Sequence, residues 1–167
     1  KFVDEITPFS IAQKKGDPIV FSADEFINRK SNAEALAGLK PAFDKAGGVT
    51  AGNASGINDG AAAVMVMTAK KAAALGLTPM GRIASFATSG LDPALMGMGP
   101  VPASKKALER AGWKAQDLDL LEINEAFAMV TMCPIDDFKL DAEKVNINGG
   151  ACALGHPVGS TGSRIIL

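Results

Sequence analysis

One histidine, His156, stands inside NINGGACALGHPVGSTGSR, the stretch from Asn146 to Arg164. Gly149, Gly150, Gly155, Gly159 and Gly162 surround this single imidazole of the 167-residue chain. Glycine weakens regular structure by about 0.5–1 kcal/mol per residue, so such crowding implies backbone brought close to other groups. Pro157 fixes the following turn, which points to a ring held in a cleft. A phosphate cradle fits poorly. A P-loop ends in Gly-Lys-Ser/Thr, the loop GGACALGHPVGSTG holds no lysine, and it departs from the G-x-G-x-x-G dinucleotide pattern. Cys152 lies four residues before His156 and would share its face in a helix. Gly155 and Pro157 disfavour helix there. Cys152 and Cys133 have apolar neighbours and no basic ones, so both are expected to be small buried hydrophobes. A metal centre fails on inventory, because one histidine lacks organised thiolate or carboxylate partners.

A second candidate is LEINEAFA, from Leu121 to Ala128, where Asn124 and Glu125 stand at a strand-to-helix handover. The ordinary explanation is that asparagine caps the helix while glutamate favours its positive end. The chemical one is that Asn124 lies at the carboxyl end of a strand, where open α/β sheets place ligands. An amide there orients a water or donates to a carbonyl oxygen. The third candidate is TAGNASGINDGAAA, from Thr50 to Ala63. Its small residues make tight turns, and they would equally let a long, thin ligand lie flat against backbone.

The elements that must position these groups alternate along the chain. Asn32 caps a short helix that Pro41 stops, and Thr68 caps an Ala- and Lys-rich helix ending at Gly76. PASKKALERAGW reads as a helix with Leu108 inward and Gly112 as its stop. NEAFAMVTM is helical in character, and Pro134 is expected to shorten or kink that helix. AAAVMVM, GRIASFATSG, DLDLLEI and VNING read as strands. Strands alternating with helices at this spacing imply an α/β layered fold.

Composition narrows the class further. At 47% hydrophobic residues the chain can bury a sizeable core, and a formal charge of −1 gives no electrostatic argument for nucleic acid or an anionic membrane. No apolar run approaches the roughly 20 residues of a membrane span, and two cysteines make no disulfide framework, so a reduced, cytoplasmic compartment is expected. Lys1 and the terminal RIIL both read as cuts in a longer protein.

Taken in series, NASGINDGAA, LDLLEINEAFA and NINGGACALGHPVGSTGSR resemble consecutive signatures of the thiolase family. GPVPASKKALERAGW resembles the matching segment of its bacterial biosynthetic type, and the likeness runs from ITPF to RIIL. The resemblance implies a thiolase fold, layered α/β/α/β/α with mixed sheets, incomplete in this chain. By carry-over, residues 1–57 end a loop domain, 58–78 belong to the N-terminal half, and 79–167 form most of the C-terminal half. The implied activity is a reversible Claisen condensation of two acetyl-CoA to acetoacetyl-CoA and CoA through an acyl-cysteine. His156 would activate the nucleophilic cysteine and hold the thioester oxygen, and Asn124 would position a water as second donor. Ser55, Ala54 and Ile57 would line the pantetheine path, with Phe43 and Phe127 as apolar walls. No cofactor or metal is expected beyond the acyl-CoA substrates, and the full-length protein is expected to be a homodimer or homotetramer.

The departures from the family pattern carry expectations too. Its nucleophilic cysteine belongs to an earlier segment, and its acid/base cysteine to a C-x-G-G-G motif; Cys133 and Cys152 match neither. The chain alone is therefore expected to be inactive. Around Asn28 to Ala35 it matches the adenine-end contacts poorly. Two alternatives stand beside this reading: a degradative 3-ketoacyl-CoA thiolase, and a non-catalytic thiolase-like module that binds CoA or lipid.

Overall fold

The computed structural model describes residues 2–167. Its regular elements are an antiparallel hairpin and six α-helices, joined by three short 3-10 turns. The hairpin pairs β1 (Phe9–Ile11) with β2 (Ile19–Phe21), Phe9 facing Phe21, and all six residues are exposed. The helices are α1 (Ala33–Ala37), α2 (Ala69–Ala74), α3 (Pro100–Ala111), α4 (Ala128–Phe138), α5 (Ala151–Leu154) and α6 (Thr161–Arg164).

Local chemistry sets most of the helix ends. The Asn32 side chain accepts from Ala35 N–H at 2.9 Å, and Thr68 accepts from Lys71 N–H at 3.2 Å. Each satisfies a first-turn donor that the helix itself leaves free. α1 ends at Ala37, ahead of Pro41. α3 stops at Gly112, whose φ of 70° places it in the left-handed region that glycine adopts without strain. α4 continues through Pro134, whose side chain is fully buried, so the expected shortening does not occur. Burial of that ring offsets the hydrogen bond that proline cannot donate.

The core is small and lies where α3 meets α4, with Val101, Val130, Thr131 and Pro134 inside it. Val145 and Ala151 extend it toward the glycine-rich loop.

The sheets read from the sequence are the main correction. AAAVMVM, GRIASFATSG, DLDLLEI and VNING form no ladder among the described residues, and all that survives is one parallel bridge between Leu121 and Val145. Apolar content and alternation specify what a run can pair with, whereas a ladder also needs a neighbouring backbone about 4.8 Å away. The run around 82–88 is instead tied to α3 by side chains. The Ser85 hydroxyl donates to Ala107 O at 2.6 Å, and Arg110 Nη1 donates to Phe86 O at 2.6 Å. Between this run and 118–123 lies a cleft of about 390 Å³, lined by Ala84, Leu108, Leu121, Ile123 and Pro134 among others. No helix among the described residues is long and apolar enough to cross a membrane.

Candidate active site

The three glycine- and asparagine-bearing stretches converge on one another. Residues 53–57 lie between the other two. Ala54 bridges Phe127 in antiparallel fashion, and Ile57 bridges His156 in parallel. Ala128 N–H donates to Asn53 O at 2.8 Å, and His156 N–H donates to Gly56 O at 2.9 Å. Ser55 sends both its N–H and its hydroxyl to Ala126 O, each at 3.1 Å. Its hydroxyl proton is thus committed to backbone, and only its lone pairs remain for a ligand. Ile57 is 95% exposed beside the histidine, and Phe127 is half-buried. Phe43 is 83% exposed, and no hydrogen bond or bridge joins it to this cluster.

The cluster brings Asn124 to His156, with Asn124 Nδ2 3.3 Å from His156 Nε2. Asn124 does not cap α4, because that helix begins at Ala128 and its first donor is met by Asn53 O. Asn124 Oδ1 is buried without a hydrogen-bond partner among the described residues. A buried acceptor left unpaired costs about 1–3 kcal/mol, the kind of site a water completes.

Glu125 serves a helix other than the expected one. Its carboxylate accepts from Cys152 N–H at 3.1 Å, capping α5, and from Asn146 Nδ2 at 3.3 Å. A Cβ on Gly150 would fall on that carboxylate, so this glycine is required for space. Asn146 adopts φ 49° and pairs its side-chain amide with Ile123, accepting from Ile123 N–H at 2.8 Å and donating to Ile123 O at 2.9 Å. Asparagine tolerates this left-handed geometry better than most residues. The Asn146–Ile123 pair fixes the backbone one residue before Asn124. Neither Asn146 nor Thr161, which touches the histidine ring, was singled out from sequence. A polar residue in a glycine-rich turn is the signal that could have flagged them.

The expectation that Cys152 lies outside a helix is corrected. α5 spans Ala151–Leu154, because Glu125 supplies the cap that its sequence lacks, and Gly155 at φ 90° ends it before His156. Cys152 and His156 therefore do not share a helix face. Burial pushes the Cys152 thiol up to about 11, and the Glu125 charge and its hydrogen bond push the same way. With that value replacing an ordinary 9.0, the thiolate fraction at pH 8 falls about 100-fold. In a Cys133→Ala variant, iodoacetamide at pH 8 is expected to label Cys152 about 100-fold more slowly than a free thiol. Mass spectrometry over time measures this, and labelling at the ordinary rate would contradict the burial argument.

Comparison with known proteins places this arrangement. The thiolase C-terminal domain model matches residues 77–167 and the thiolase N-terminal domain model matches residues 1–70, so the chain belongs to the thiolase family. Among curated relatives, the acetyl-CoA acetyltransferase of Cupriavidus necator is 59% identical over 167 residues, all of this chain and 42% of the relative. The solved acetyl-CoA acetyltransferase of Bacillus anthracis superposes with a TM-score of 0.89 at 50% identity, over 99% of this chain and 42% of that one. Human mitochondrial 3-ketoacyl-CoA thiolase gives 0.84 at 41% identity, covering 99% and 41%. The chain has the thiolase fold, and it spans about two-fifths of the length of these relatives.

Proposed function

We propose that this chain supplies the histidine and asparagine of a biosynthetic-type thiolase that condenses two acetyl-CoA to acetoacetyl-CoA and CoA. The observation that carries the reading is the pairing of Asn124 with His156 at 3.3 Å, beside a buried amide oxygen that no group among the described residues satisfies. His156 Nε2 faces a position where a cysteine thiol of the full-length protein can give up its proton. The resulting thiolate takes the acetyl group, CoA leaves with a proton from the second, acid/base cysteine of the full-length protein, and the ring keeps the proton it took. When that second cysteine, now a thiolate, removes the α-proton of a second acetyl-CoA, the protonated ring donates from Nε2 to the enolate oxygen. A water accepting at Nε2–H is not needed; one donating to Asn124 Oδ1 directs its other proton to the same oxygen. Ala54, Ser55 and Ile57 border this position along the proposed pantetheine path. Higher identity to acetyl-CoA acetyltransferases than to the 3-ketoacyl-CoA enzyme favours the two-carbon substrate over longer chains. The full-length protein is a cytoplasmic homodimer or homotetramer in this reading.

In this reading the catalytic thiols lie outside this chain; in support, the Cys152 thiol donates to Glu125 O at 3.8 Å and burial raises it to about 11, and Cys133 lies inside α4. The isolated chain is expected to give no acetoacetyl-CoA. A chimaera placing it within the remaining segments of the Cupriavidus necator relative is expected to condense acetyl-CoA at a rate within about tenfold of that relative, as intact site geometry requires. A folded but inactive chimaera would overturn the assignment. Turnover by the isolated chain would overturn the placement of the thiols.

A further inference from the structure

We infer that Thr161 is a positioning residue that locks His156 in the tautomer carrying its proton on Nδ1, an inference that rests on the reading of His156 as the base. Thr161 is 3% exposed, at the first position of α6. Its Oγ1 lies 2.8 Å from His156 Nδ1 and 3.1 Å from Pro157 O. A hydroxyl has one proton and two lone pairs, and a carbonyl oxygen only accepts. With the hydroxyl proton on Pro157 O, Nδ1 must bring its own hydrogen and donate to Oγ1. Nε2 is then a bare lone pair, which matches the Asn124 amide N–H at 3.3 Å on the other side of the ring.

The opposite tautomer fits the same atoms less well. The Thr161 hydroxyl would turn to Nδ1 and leave Pro157 O, so one hydrogen bond is lost. Nε2–H would then face Asn124, whose amide must flip to present oxygen. The flip leaves an NH₂ group in the buried place where the oxygen now sits. An orphaned buried donor is rarer and costlier than an under-used acceptor. Two neighbours on opposite sides of the ring thus agree on one assignment. The partner of one ring nitrogen decides the role of the other. An unconstrained histidine prefers its proton on Nε2, the nitrogen that must be bare to accept a thiol proton. Thr161 reverses that preference at the one position where it matters to a base.

His156 is the single histidine of the chain, so its ring nitrogens can be read without assignment. In ¹⁵N-histidine-labelled chain, a pyridine-like Nε2 resonance coupled to both ring C–H groups is expected. A pyridine-like Nδ1 would overturn the inference. Thr161→Val removes the acceptor while keeping the shape, and should move the resonances toward the Nε2–H pattern; Thr161→Ser should keep the original one. An unchanged tautomer in Thr161→Val would also overturn it. In the chimaera, Thr161→Val is expected to lower kcat about 10–100-fold with KM unchanged, and Thr161→Ser to restore it. Equal loss in both variants would mark a structural role and defeat the proposal. His156→Ala retaining activity would instead defeat the reading of His156, whatever the tautomer proves to be.

Discussion

In the chimaera, His156→Ala is expected to lower kcat for acetyl-CoA condensation about 10⁴-fold while leaving KM for acetyl-CoA within a few-fold. General-base transfer contributes about 10²–10⁴, and one preorganised donor to a developing oxyanion about 10²–10³. A single ring performing both steps loses them together, and the losses do not simply multiply. The proposed CoA path along Ala54, Ser55 and Ile57 is left in place by the substitution, so ground-state binding is expected to persist. Asn124→Ala removes the proposed water-directing oxygen together with the amide that faces His156 Nε2, and should cost about 10²–10³. Steady-state kinetics on the three proteins measure the order wild type, Asn124→Ala, His156→Ala. Activity within tenfold of wild type in the histidine variant would remove His156 from the chemistry.

Gly155→Ala is expected to destabilise the chain by about 2–6 kcal/mol, from two separate costs. Gly155 holds φ 90° and ψ 165°, a backbone region that residues with a Cβ scarcely visit, worth about 1–3 kcal/mol of strain. An added Cβ would also fall on the side-chain amide of half-buried Asn58, whose Oδ1 is buried, and displacing it costs about 1–3 kcal/mol. Typical domains are stable by about 5–15 kcal/mol, so this single methyl approaches the margin. The shift in urea midpoint at constant slope reads the effect. A loss under about 0.5 kcal/mol would match an ordinary surface substitution and would contradict both costs.

What the sequence made legible was local, or carried by motif order. The caps Asn32 and Thr68, and the stop at Gly112, depend on side chains within three or four residues, and each is found as expected. Asn124 and His156 were chosen separately, from a strand end and a glycine-rich loop, and the fold brings them together. Glu125, for which the ordinary explanation is the positive end of α4, instead caps α5, because its partner is 27 residues away and no spacing rule reaches that far. Asn146 is illegible for the same reason: its amide answers Ile123 across 23 positions. The strand expectations failed differently. Runs such as 82–88 carry the right residues, but their bonds run to α3 through side chains, Ser85 to Ala107 O and Arg110 to Phe86 O, instead of to a ladder.

Residues 53–57 have a mechanical consequence. The same short rung is hydrogen-bonded to the 126–128 backbone on one side and to His156 on the other. One short backbone segment therefore ties the flank that follows Asn124 to the loop that carries His156, and their spacing rests on main-chain bonds that side-chain substitutions along the rung leave in place.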